Sequence, residues 1–229
     1  MTIKSLRYIV FLIPLVVIAI GCSSSDLRNG SVSIELGDYP LAIHFFSRVL
    51  EKDPANFEAR LGMGKALLQQ AIDNDDSASW QSALMHLEAA RTIKHGADLD
   101  PLLSQAWAQR ADGLLRRTDT LRAIEALTKA IAFDPKNPGP LNRAGIIYYR
   151  SGNTEKARQL FESAARMDTA DISAVFNLGM VYWERGDPKA AHDLWMKALK
   201  KTPEDEVILY WFAAANKRLA ETAPPGKQR

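Results

Sequence analysis

Apolar residues return through this chain at the spacing of amphipathic helices, and that spacing is nested in a longer period of 34 residues. Three units tile without a gap: 104–137, 138–171 and 172–205. Each carries a small residue at its eighth position (Ala111, Gly145, Gly179) and Ala at its twentieth (Ala123, Ala157, Ala191). A large apolar residue holds the twenty-fourth (Leu127, Phe161, Trp195), and Ala returns at the twenty-seventh (Ala130, Ala164, Ala198). Two looser copies precede them, at about 23–56 (Gly30, Ala42, Phe46, Val49, Pro54) and 57–97 (Gly64, Ala83, Leu87, Ala90, His95).

Small residues at positions eight and twenty let two antiparallel helices approach closely, and the bulky residue at twenty-four fills the space beyond. The turns keep the same phase. Gly37-Asp38, Gly152-Asn153 and Gly186-Asp187 each join a helix-ending residue to one able to cap the next, and Thr118-Asp119 takes that place in the third unit. Asp53-Pro54, Asp134-Pro135 and Thr202-Pro203 separate units. No convincing period-2 alternation occurs, so strands are not expected.

This recurring set resembles the tetratricopeptide repeat family over roughly residues 23–220. The resemblance implies an all-α, right-handed α-solenoid of about five helix-turn-helix repeats, because one hairpin cannot bury its apolar face alone. Glu206–Leu219 reads as a further helix, a cap over the open end at 206–220. Residues 221–229, with Pro224-Pro225-Gly226, read as a disordered tail. Two inserts break the phase. One, within Ala71–Ser79, carries Asp73-Asn74-Asp75-Asp76-Ser77 and reads as an exposed loop; it lacks the glycine and distal glutamate of a calcium-binding loop. The other, Asp98–Leu103, is expected to lengthen the next helix at its start. The leading helix of the first unit is polar (Asp26, Asn29, Ser33) where the others are apolar.

Residues 1–21 stand apart from the array. Lys4 and Arg7 precede an almost unbroken apolar run from Tyr8 to Ile20, a secretory signal layout. Ala19-Ile20-Gly21-Cys22 resembles the bacterial lipobox, although that motif favours Leu where Ala19 stands. The resemblance implies lipidation of Cys22 at a new N-terminus, with 22–29 as a tether and Ser23, Ser24 and Ser25 as its flexible exit; an uncleaved signal anchor is the rival reading. Cys22 is the single cysteine, which excludes a disulfide within the chain. Ser23 beside it resembles the residue that sends lipoproteins of diderm bacteria to the outer membrane, facing the periplasm.

Charge adds an exclusion. Residues 1–21 hold two of the 29 basic residues and none of the 27 acidic ones, so the remainder is neutral and has no electrostatic footprint for nucleic acid. Chemistry is missing too. His44, His86, His95 and His192 have no metal-ligand spacing, and no phosphate-cradling loop or nucleophile elbow occurs. Neither an enzyme nor a cofactor is expected.

A binding face is expected instead. In the family that the chain resembles, the first helix of each unit lines the concave face. Carried onto this sequence, that nominates Asn142, Arg143, Ile146, Tyr149 and Arg150 in the fourth unit. The fifth contributes Phe176, Asn177, Met180 and Trp183, and the last helix Tyr210; Leu115 belongs to the same face of the third. The family's carboxylate clamp is not assembled, since its positions hold residues such as Ala108, Asp112 and Met180. An aromatic and apolar groove with marginal Arg and Asn remains, suited to a protein or peptide. Trp183 is expected to face this groove and Trp195 to pack between helices. For such a lipoprotein the resemblance implies a scaffold in envelope assembly: pilus or secretin biogenesis first, then outer-membrane protein insertion or regulation of cell-wall enzymes. An adaptor for peptidoglycan is the alternative.

Overall fold

The computed structural model describes residues 23–74, 76–94, 98–167 and 172–222. The expected signal segment, Cys22 and the tail from 223 lie outside them. The described residues form helices and their turns, with no strand among them, and they fall into two compact units that divide between Gln109 and Arg110.

The first unit holds α1 (23–35), α2 (Tyr39–Lys52), α3 (Phe57–Asn74), α4 (Ser77–Ile93) and the opening turns of α5 (Asp100–Arg116). The second holds the end of α5, then α6 (Thr120–Phe133), α7 (Pro138–Arg150), α8 (Thr154–Ala165), α9 (Ile172–Glu184), α10 (Pro188–Leu199) and α11 (Glu206–Thr222). The odd-numbered helices lead their hairpins and the even-numbered ones trail.

The caps sit where the sequence places them. Asp38, Asp119, Asn153 and Asp187 each accept the amide three residues on, at 3.0 to 3.2 Å. This satisfies amides that the first turn of a helix leaves unbonded. Gly37, Gly152 and Gly186 take positive φ at +75°, +80° and +80°, and Thr118 takes the same region at φ 60°.

The core is the repeat made physical. Phe46, Leu87, Leu127, Phe161 and Trp195 are all 1 % exposed or less. Four of them reach across their hairpins toward a glycine at position eight: a Cβ added to Gly30 would lie 2.7 Å from Phe46, one on Gly64 2.7 Å from Leu87, and one on Gly145 2.5 Å from Phe161. Trp195 closes on Gly179 in the same way, and its indole Nε1 donates to the Phe176 carbonyl at 3.3 Å. The small residue is there because the large side chain opposite occupies the volume that another would need.

Three expectations are corrected. Most of the Ala71–Ser79 insert is helix rather than loop, although Asp73, Asn74, Asp76 and Ser77 are exposed as expected. It lengthens α3 and α4 to 18 and 17 residues, with Ala71 fully buried and Asp76 accepting the Ser79 amide at 2.8 Å to start α4. Acidic residues at these points read as loop because capping and solvated turns use the same side chains. Residues 23–29 are not a flexible tether but the first turns of α1; Asp26 is buried there, facing Arg48 of α2 at 3.5 Å. The closing helix runs two residues past 220, to Thr222. The Asp98–Leu103 insert does lengthen α5, to 17 residues.

Candidate functional site

In the second unit, leading helices meet side by side and polar side chains join them. Arg143 of α7 faces Asp112 of α5 at 3.4 Å. Asn177 of α9 donates through Nδ2 to Asn142 Oδ1 of α7 at 2.9 Å. The Tyr149 hydroxyl of α7 donates to Glu184 of α9; burial, then this carboxylate, pushes the phenol well above its ordinary range. Asn142 is 5 % exposed, so its amide needs such a partner. Three of the nominated residues, Asn142, Tyr149 and Asn177, therefore position the leading helices against one another.

Beside this ladder lies a pocket of about 420 Å³. Its apolar floor is Leu115 from the end of α5 with Ile146 and Ile147 from α7. Arg143 and Arg150 stand on its rim, while Thr118, Thr120 and Ser151 supply hydroxyls from the turns. Arg143 is shared with Asp112, whereas Arg150 is exposed and makes no ion pair among the described residues. Two cations over an apolar floor suit a segment that pairs carboxylates with an aliphatic side chain. Ile147 and the hydroxyls escape a repeat-based reading, because core and turn assignments already account for them.

The aromatic nominees behave differently. Trp183 is half-buried, with ring centroids 6.0 Å from Trp195 and 5.9 Å from Trp211 of α11. The Arg218 guanidinium lies 4.9 Å over its ring. Phe176 and Met180 pack into the same cluster. Trp183 is thus not a free groove anchor: the closing helix lies against it, a contact that position twelve of an inner repeat does not foretell. Trp195 is fully buried, as its register implies. Tyr210 stays open at 68 % and meets Trp211 edge-on.

Away from this face, Arg60 and His86 Nδ1 lie 3.2 Å apart between α3 and α4. Burial, then the Arg60 charge, lowers the imidazole to about 4. On α8, Arg158 bridges Glu155 at 2.6 Å and Glu162, and Arg185 joins Glu155 at 3.1 Å. These groups are paired with one another and hold no reactive geometry. No cluster of His, Cys, Asp and Glu suited to a metal occurs among the described residues, and no described helix is long and apolar enough to cross a membrane.

The sequence profile of the tetratricopeptide repeat family matches residues 33–79 and 114–179, and a second profile of that family matches 177–202. A TPR repeat-containing protein of Methanocaldococcus jannaschii is 25 % identical over 226 aligned positions, covering 80 % of this chain and 37 % of that protein. The chain spans between 17 and 37 % of the length of such curated relatives. Among solved structures, MamA superposes with a TM-score of 0.54 at 23 % identity, covering 80 % of this chain and 93 % of MamA. YrrB, described as a TPR protein with an unusual peptide-binding site, superposes at 0.52 with 16 % identity, covering 81 % of this chain and 89 % of its own.

Proposed function

The chain belongs to the tetratricopeptide repeat family, and we propose that it is a scaffold that holds a peptide segment of a partner protein on its leading helices. The pocket over Leu115, Ile146 and Ile147, rimmed by Arg143 and Arg150, carries this reading. That floor and rim favour an acidic segment with one aliphatic or aromatic anchor. YrrB, of the same fold, is described as having a peptide-binding site, which supports the use of such a stack for a peptide.

Selection of peptides from a random library on the purified protein tests it. Enriched sequences should carry Asp or Glu beside a large apolar residue. Arg150→Glu and Ile146→Asp should each weaken them at least tenfold, about 1.4 kcal/mol. Sequences retained equally by both variants would refute the pocket as the site.

The place of action is part of the proposal. Lys4, Arg7, the apolar run from Tyr8 and Cys22 support a lipid-anchored protein of a bacterial envelope, with Ser23 favouring the outer membrane on its periplasmic side. The scaffold would then serve envelope assembly, with pilus or secretin biogenesis the leading pathway. The peptidoglycan-adaptor alternative depends on open aromatic faces, and Trp183 and Phe176 are packed against neighbouring helices instead. Mass spectrometry of the native protein should find acyl chains on Cys22. An unmodified cysteine would sink the anchor while leaving the peptide pocket standing.

A further inference from the structure

Four turns of the array stand at one position of the repeat. Gly37, Thr118, Gly152 and Gly186 each hold the fifteenth place of their units, the last three at intervals of 34 residues. All four close in the same way. The amide at this place donates to the carbonyl three residues back at 3.0 Å, and the next amide to the carbonyl five back at 2.9 Å. Their φ values lie between +60° and +80°. Such a backbone suits glycine, and a β-branched residue is an outlier in it.

Room is not what keeps side chains out of the glycine turns. A Cβ added to Gly152 or Gly186 would meet nothing within 4 Å, and one on Gly37 only the Tyr39 hydroxyl at 4.0 Å. Glycine stands there for its backbone alone. Thr118 takes the same backbone under strain, and it is exposed, so burial within the fold does not offset that strain. Its hydroxyl donates to the carbonyl of Arg117, the residue before it, at 2.6 Å. Serine could make that bond equally well, so the bond does not call for a β-branched side chain.

The location of the turn gives the side chain a use. Thr118 lines the pocket whose floor is Leu115, Ile146 and Ile147. With its hydroxyl proton given to Arg117, what threonine adds over serine is a methyl group. Floor and methyl are then aliphatic alike, and a branched aliphatic anchor meets matched surface on both.

We propose that Thr118 is a specificity-determining residue of this pocket, whose methyl group selects a branched aliphatic anchor in the bound acidic segment. The proposal rests on the pocket being the peptide site. It explains why a strained residue occupies this turn: stability is given up for contact with the occupant.

Two labelled peptides serve as probes, identical but for one central residue, leucine or tryptophan, set among four glutamates. Fluorescence anisotropy on the whole protein should show the leucine peptide binding more tightly. Thr118→Gly and Thr118→Ser should each weaken the leucine peptide about fourfold, the worth of one methyl group withdrawn from water. Both should leave the tryptophan peptide nearly unchanged, so the preference narrows. Thr118→Gly should at the same time melt higher than the parent, whereas loss of a merely structural side chain would lower stability and binding together. Arg150→Glu should weaken both peptides. If it does so while Thr118→Gly binds leucine as the parent does, this inference fails and the pocket stands. Equal losses for the two peptides, or a Thr118→Ser variant that binds as the parent does, also overturn the inference. Peptides that do not bind, or that ignore Arg150→Glu, overturn the pocket and the inference together.

Discussion

Thr118 holds a φ of 60° at the α5–α6 turn, where the equivalent turns use Gly37, Gly152 and Gly186. The left-handed region crowds a Cβ and costs roughly 1–2 kcal/mol for an ordinary residue. Thr118→Gly should therefore raise stability by about 1 kcal/mol, read from denaturant melts, after the entropy of the freer unfolded chain takes its share. Trp195→Ala should cost about 3–5 kcal/mol, because the fully buried indole leaves a cavity above Gly179. Trp183→Ala should cost less, about 1–3 kcal/mol, since that ring is only part-buried, tilted against Trp195, edge-on to Trp211 and covered by Arg218. Equal losses for the two would place Trp183 in the core proper. His86 sets a pH dependence. Its imidazole titrates at about 4 in the folded chain against an ordinary 6.5, so between those values the unfolded chain binds the extra proton. Stability is fully present above pH 6.5 and is lost as pH falls toward 4. Melting temperatures across that window should fall, and His86→Gln should flatten that part of the decline.

At the scale of elements, the hairpin is governed by volume rather than by helix preference. Gly145 sits inside α7, where Ala would ordinarily stabilise a helix by about 1 kcal/mol. Its added methyl would lie 2.5 Å from Phe161. Gly145→Ala should then destabilise by about 1–3 kcal/mol, and shrinking the ring with Phe161→Leu in the same chain should recover part of the loss. A stabilised Gly145→Ala would contradict the close crossing. The α3–α4 hairpin shows where sequence reasoning ran short. Ala71 has the small side chain of a tight crossing, yet the run of acids after it reads as a solvated loop. Only a view of both helices reveals that the extra residues are spent on length, with Asp76 as the cap. The face of α1 is similar: Asp26 is polar by type and buried by position, because Arg48 of α2 stands opposite.

For the whole molecule, packing within the second unit runs mainly between neighbours in sequence, α6 with α7, then α7 with α8 and onward to α11. Stability in such a stack is close to a sum over adjacent interfaces. Ending the chain before Glu206 would uncover Val175 and Trp195, which α11 now covers through Ile208, Trp211 and Ala215. The shortened protein should melt earlier and bind more of a dye that reports exposed apolar surface. Amides of α10 should exchange faster in it while those of α7 and α8 change little. Uniform loosening from α6 to α10 would instead mark the unit as one cooperative block.

The residues alone determined the hairpins, their phase, the capped turns and the large buried residue of each unit. Those features are local volumes repeated at a fixed interval, and a linear pattern records them. Of the expected binding face, Arg143, Ile146 and Arg150 meet at one pocket. Asn142, Asn177 and Tyr149 spend their polar groups between helices. Trp183 and Phe176 are taken up by the α10 and α11 cluster. Only the tertiary structure decided that division. It depends on how adjacent leading helices lie across one another and on which side chain from a neighbour 31 to 35 residues away arrives first, neither of which the order of residues states.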